Sequence, residues 1–143
     1  MIELADVNVL VALAWPNHVH HARSRAWFAE SGISGWATCP ITEAGFIRVS
    51  SNRRVIPDAR SVGEAVGILS ALRAVGPHQF WTDDVSPVDN PEVDFEALSG
   101  YRHVTDALLA SLAGRRGGRF VTFDAAAAAL CQANAIEVRL LRL

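Results

Sequence analysis

Met1-Ile2-Glu3-Leu4-Ala5-Asp6-Val7-Asn8-Val9-Leu10-Val11-Ala12-Leu13-Ala14-Trp15 opens the chain. Ile2 to Ala5 is short and largely apolar, which predicts a buried strand with Asp6 at its carboxyl end. Asn8 to Trp15 is apolar on every face of a helix, which predicts a short buried helix ended by Pro16. The same alternation continues outward. His18 to Glu30 predicts a helix with Val19, Ala22, Ala26 and Ala29 on its inner face and Gly32 as its stop. Gly35 to Thr38 predicts a strand, and Pro40 opens a helix to about Ser50. Ser61 caps a helix over 62–75 whose face is Val62, Ala65, Val66, Leu69 and Leu72. His78 to Thr82 is a third strand. The segment after it is surface loop with a helical turn near Phe95. Val104 to Gly114 is a helix with Ala107, Leu108, Ser111 and Leu112 inward. Arg119 to Phe123 is a strand ending at Asp124, Ala125 to Ala133 a helix by propensity, and Ile136 to Leu140 a last strand. Strands alternating with helices predict a mainly parallel sheet covered on both faces.

Length and composition agree. The 143 residues suit one domain spanning 1–143, and half of them are apolar. No apolar run approaches the ~18 residues of a membrane span. The first residues carry two acids and no basic region, unlike a secretory signal, so the expected setting is cytoplasmic with no membrane partner. Cys39 and Cys131 are too few for a disulfide framework and read as small core residues. The net charge is −2, and all 13 basic residues are Arg. Such a balance excludes a general nucleic-acid binder held by charge alone. Charge is local instead: Asp83 to Glu96 holds six acids and no base, while Arg53-Arg54 and Arg115-Arg116-Arg119 form small basic clusters.

Ligand sites in open α/β sheets lie outside the carboxyl ends of the strands. Asp6 and Asp124 fall there. Glu43 and Asp106 fall in the first turns of helices that leave the same edge. Each acid alone has a plain explanation, as a helix cap or a charge facing the helix dipole. Four together repel and raise one another's pKa unless a cation joins them. Their oxygen donors suit Mg²⁺ or Mn²⁺. His18, His20 and His21 crowd one helix start, where a solvated helix end competes with a zinc site shared by His18 and His21. A haloacid-dehalogenase-type phosphatase needs a second Asp two residues after the first, and Asn8 stands there. A receiver domain needs a late Lys, and the chain has none. Walker and Rossmann glycine motifs are absent.

Four blocks carry a resemblance: Asp6-Val7-Asn8-Val9-Leu10-Val11-Ala12-Leu13, Thr42-Glu43-Ala44-Gly45-Phe46-Ile47-Arg48, His103-Val104-Thr105-Asp106-Ala107-Leu108-Leu109-Ala110 and Val121-Thr122-Phe123-Asp124. In this order they resemble the PIN domain, and more narrowly VapC, the ribonuclease toxin of type II toxin–antitoxin pairs. The resemblance implies a three-layer α/β/α sandwich around a parallel sheet and Mg²⁺-dependent hydrolysis of RNA phosphodiesters. It implies Asp6 and Asp106 as chief metal ligands, with Glu43 and Asp124 completing the pocket directly or through water. Asn8 and Thr122 would orient these groups. Arg48 would pair with a pocket acid, touch RNA phosphate or stay a plain surface residue. Arg53, Arg54, Arg115, Arg116 and Arg119 are candidate RNA-backbone contacts. It also implies a homodimer and a VapB-type antitoxin. Most of Trp15, Trp27, Phe28, Trp36 and Phe46 are core residues and some are candidates to line the antitoxin's apolar groove, and an antitoxin Arg would enter the carboxylate pocket. The competing expectation is a PIN-like binding module without nuclease activity.

Overall fold

The structure is a computed structural model. It describes residues 1–31 and 34–142. Gly32, expected to stop the second helix, lies outside the described residues. In chain order the described elements are β1 (Glu3–Ala5), α1 (Val7–Ala14), α2 (His21–Glu30), β2 (Trp36–Thr38) and α3 (Pro40–Ser50). They continue with α4 (Val62–Arg73), β3 (His78–Phe80), α5 (Val104–Arg115), β4 (Arg119–Thr122), α6 (Ala125–Ala133) and β5 (Val138–Leu140). Short 3-10 turns at Phe95–Ala97 and Tyr101–His103 precede α5. The five described strands form one sheet in the order β3-β2-β1-β4-β5. Every pairing in it is parallel.

Successive residues of a strand point to opposite faces, and this builds two cores. Leu4, Ala37 and Phe120 join Ala107, Leu109, Leu112 and Cys131 of α5 and α6 on one face. Ala5, Trp36 and Val121 join Val9, Leu10, Trp27, Phe46 and Leu69 of α1 to α4 on the other. The result is the expected three-layer sandwich with a wholly parallel described sheet. Among the described residues no helix is long and apolar enough to cross a membrane. Cys39 and Cys131 are free and fully buried, as expected of small core residues.

Local start signals held where a side chain supplies the missing hydrogen bond. Ser61 Oγ accepts the N–H of Glu64, and Glu64 Oε1 accepts the N–H of Ser61, a reciprocal cap on α4. The inner helix faces differ from those the spacing predicts. Helix α2 turns Ser24 and Trp27 inward, not Val19, Ala22, Ala26 and Ala29, and Val19 is 75% exposed. The physical reason is size, since one Trp gains far more from burial than an alanine row. On α4, Ala65 and Leu69 are buried while Val62 and Val66 stay exposed. Trp27, Trp36 and Phe46 are fully buried and Phe28 packs edge-on against Trp27 and Trp36. Trp27, Trp36 and Phe46 therefore build the core, and Phe28 is partly buried against it.

Glu3 is a buried acid that composition does not flag, with only 2% of its surface exposed. Arg139 Nε donates to its Oε2 at 2.9 Å, Trp27 Nε1 reaches the same oxygen at 3.3 Å, and Arg119 stands at 3.7 Å. It ties β1 to β4, β5 and α2 near the amino end of the sheet.

Candidate active site

From β1 the chain steps outward through β2 to β3, then returns to place β4 on the other side of β1 and continues to β5. The crevice between β1 and β4 is therefore the point where strand order reverses, the usual ligand position of an open parallel sheet. Asp6 follows β1 and Asp124 follows β4. Each caps the next helix: Asp6 Oδ1 accepts the Val7 N–H at 2.8 Å, and Asp124 Oδ1 accepts the Ala126 N–H at 2.8 Å. Short strands ending directly in capped helices hold both acids on rigid backbone. Thr122 links them. Its hydroxyl donates to Asp6 Oδ2 at 2.7 Å, and its oxygen accepts the Asp124 N–H at 3.0 Å.

Asp106 enters from the first turn of α5. Asp6, Asn8, His18, Asp106 and Asp124 line one cleft of about 460 Å³, with Val11, Val49 and Ile56 among its apolar walls. Burial, Asp6 and Asp124 push the Asp106 carboxyl up to about 6, and His103 opposes them. Burial raises Asp6 as well, against the hydrogen bonds from Thr122 and Val7, and Asp124 adds to the rise. The charged forms of these acids are thus disfavoured in the protein alone. Asn8 Oδ1 is buried beside them without a hydrogen-bond partner. Repelling carboxylates and an orphaned amide oxygen form an oxygen-only donor set that fits a hard divalent cation. Among the described residues, no three His, Cys, Asp or Glu side chains form a ready-made metal cluster. Mg²⁺ keeps several waters and needs few direct protein ligands, so the looser arrangement suits it.

Glu43 stands in the first turn of α3 but faces another way. Its Oε2 accepts the Thr38 hydroxyl at 2.6 Å and pairs with Arg73 Nη1 at 3.2 Å. Thr38 Oγ1 also meets His78 Nε2 at 2.8 Å. The structure thus gathers three of the four expected acids in one cleft and sets Glu43 at the neighbouring end of β2. Thr38, Arg73 and His78 escaped the sequence reading because they come from three separate elements. His18 reaches the cleft although its turn read as a helix start. Its Nδ1 accepts the His20 N–H at 3.0 Å, while His21 Nδ1 meets the Ala12 carbonyl at 2.8 Å. Both rings keep Nε2, but among the described residues no group of three or more His, Cys, Asp or Glu side chains is set to hold a metal ion there.

The arginines divide. Arg48 is exposed and forms no ion pair among the described residues. Arg53 and Arg54 lie exposed in the α3–α4 connection, and Arg53 lines a second cleft beside the acids. Arg115, Arg116 and Arg119 sit at the end of α5 and the start of β4, the sheet edge opposite the acids. They bind Glu92, Asp84 and Glu3 respectively. That placement sets them at the sheet edge away from the acid cleft. Cys131 is no nucleophile: burial, Asp106 and Asp6 push its thiol up to about 12.

A carboxylate cleft at the switch point of a parallel sheet defines the class. A sequence model of the PIN domain matches residues 4–133, and the chain belongs to that family. It is 57% identical over 129 residues to Ribonuclease VapC38 of Mycobacterium tuberculosis, covering 90% of this chain and 89% of that one. Ribonuclease VapC39 of the same species is 49% identical, over 96% of this chain and 99% of its own. The crystal structure of Mycobacterium tuberculosis VapC20, a sarcin-ricin loop cleaving toxin, shares the fold with a TM-score of 0.63 at 13% identity. It covers 89% of this chain and 93% of that one.

Proposed function

We propose that this protein is a divalent-cation-dependent endoribonuclease, the VapC-type toxin of a type II pair, held inactive by a VapB-type antitoxin. The convergence of Asp6, Asp106 and Asp124 at the β1–β4 crevice carries the reading, and likeness to the VapC ribonucleases supports it. When bound, Mg²⁺ or Mn²⁺ supplies a lowered pKa to attacking water and neutralises charge building on the scissile phosphate. Asp6 and Asp106 would be its chief ligands, with Asp124 direct or through water. Thr122 fixes the Asp6 carboxylate and the backbone of Asp124. The unpartnered amide oxygen of Asn8 would contribute to holding the same group or its water. Glu43, its carboxylate oriented by Thr38 and Arg73, would act on the same group only through water. The apolar walls of the cleft limit water around the phosphate.

The same reading carries an antitoxin arginine that enters the cleft and meets the carboxylates by charge-assisted hydrogen bonds. It also carries a cytoplasmic homodimer. The test of the central claim is cleavage of total RNA by purified protein with Mg²⁺ or with EDTA, read by sequencing new 5′ ends. Discrete sites that need the cation and vanish in Asp6→Asn are expected. Equal cleavage in EDTA, or by Asp6→Asn at the wild-type rate, overturns it.

A further inference from the structure

We infer that the cleft between the Trp15–His18 turn and the α3–α4 connection is a nucleotide subsite, which takes an unpaired base of the RNA beside the scissile phosphate. The inference rests on the nuclease reading above and adds where the substrate lies. The cleft measures about 710 Å³, within the range of about 300–1,000 Å³ of small-ligand sites. It shares His18, Val55 and Ile56 with the acid cleft. One strand can therefore pass through both, with its phosphate at the acids and the next nucleotide here.

Charge favours RNA. Arg53 and Arg60 line the cleft, and neither forms an ion pair among the described residues. Two unspent guanidiniums beside three carboxylates suit a phosphate that flanks the reacting one. The walls are preformed. Trp15 Nε1 donates to Ser50 Oγ at 3.0 Å, which locks the indole. Pro16 and Pro57 stiffen both sides. The connection is tied by its own backbone: the Val55 and Ile56 N–H groups bond the Asn52 carbonyl at 3.0 and 2.9 Å, and the Arg60 N–H bonds the Ser50 carbonyl at 3.1 Å. A site ordered beforehand spends little entropy on its ligand. His18 sits at the junction of the two clefts, its Nδ1 accepting the His20 N–H and its Nε2 without a hydrogen-bond partner among the described residues.

The shape requires single-stranded RNA, since a paired base cannot enter a side pocket. Asp58 also lines the cleft. Its carboxylate only accepts hydrogen bonds, so it favours a base edge with adjacent donors, such as guanine N1–H and N2–H₂, over uracil, whose single N3–H lies between two carbonyls, by on the order of tenfold.

The test uses the full chain and a fluorescent ten-nucleotide single-stranded RNA of random sequence. Binding is read by anisotropy in the Asp6→Asn background, so that no RNA is cut. Arg53→Ala/Arg60→Ala and Ala59→Trp, which fills the cleft, are each expected to weaken binding about tenfold or more. The double arginine variant is expected to flatten the salt dependence by about two phosphate contacts. In the active enzyme both raise KM more than they lower kcat, and Asp58→Asn lets uracil appear beside the cleavage point. Unchanged affinity and salt slope in both folded variants, with wild-type cleavage intact, sinks the subsite alone. If Ala59→Trp abolishes neutralisation by the antitoxin and leaves RNA binding untouched, the cleft belongs to that peptide and the proposal fails. No cleavage by wild-type protein with Mg²⁺ sinks the nuclease reading itself.

Discussion

Thr122 spends one hydroxyl on two acids, donating to Asp6 Oδ2 and accepting the Asp124 N–H. Thr122→Val keeps the shape and deletes both contacts. Partners of this kind typically matter 10–100-fold, so cleavage should fall by roughly that factor. Unpaired buried polar groups should also lower stability by about 1–3 kcal/mol. A Val variant with wild-type kinetics would show that Asp6 needs no orienting group. Asp6→Asn and Asp106→Asn should go further and lose orders of magnitude in rate while circular dichroism stays unchanged. Asp106 allows a test by pH. Its carboxyl lies near 6 in the folded, cation-free protein, above the unfolded value of 3.8. The folded state therefore holds this proton more tightly than the unfolded chain. The stability it contributes is complete below about 4 and is lost as pH rises through about 6. With EDTA present, the melting temperature of wild type minus that of Asp106→Asn should fall between pH 5 and pH 7.5. His18 and His78 have lowered pKa values and act in the opposite sense. They are common to both proteins and cancel in the difference. A flat difference would show that Asp106 feels neither burial nor its neighbours.

Helices α1 and α3 meet where Gly45 leaves room for Val7. A Cβ on Gly45 would stand 2.5 Å from Val7 Cγ2, a branched side chain that cannot swing away. Gly45→Ala gains about 0.5–1 kcal/mol of helix propensity, but overpacking costs about 1–3 kcal/mol. The net prediction is a lower melting temperature and weaker cleavage, because Val7 adjoins Asp6 and Gly45 lies two residues from Glu43 in α3. Gly45→Ala/Val7→Ala should recover both; a double variant as impaired as the single one would refute the contact as the cause. This junction also marks what sequence could and could not disclose. The start of α3 was legible because Pro40 is preorganised for a first turn, and α6 because Asp124 precedes an alanine run. The inner face of α2 was not, since Trp27 outweighs a row of alanines that are indifferent to burial. The four acids were legible as residues after strands or in first helical turns. The turn of Glu43 toward Thr38 and Arg73 was not, because Arg73 approaches from α4, thirty residues on. Likewise the Arg115, Arg116 and Arg119 cluster reads as basic surface until topology sets it at the opposite sheet edge beside its own acids.

Across the whole molecule, the same strand order that closes two cores also concentrates negative charge. Alternation along β1, β2 and β4 feeds apolar side chains to both faces, and the short strands leave their acids at one edge. Folding therefore presses Asp6, Asp106 and Asp124 together, whereas the unfolded chain spreads them over more than a hundred residues. A cation that binds the folded cleft alone adds RT ln(1 + [L]/Kd) to stability, about 2.7 kcal/mol at a hundredfold excess over Kd. For a chain of this size each kcal/mol corresponds to roughly 3–6 °C. Millimolar Mg²⁺ or Mn²⁺ should thus raise the melting temperature by several degrees over EDTA, and by more at pH 7.5 than at pH 5, where protons compete for Asp106. Asp124→Asn should shrink the gain. It should also stabilise the cation-free protein, since one source of repulsion on Asp6 and Asp106 is gone. The two effects have opposite signs in one variant, which separates a cation site from general salt screening. Sodium chloride at matched ionic strength screens exposed charges and should reproduce neither the size nor the pH dependence of the shift. Equal melting curves with Mg²⁺ and with EDTA, under conditions that support cleavage, would mean that these acids do not hold the ion.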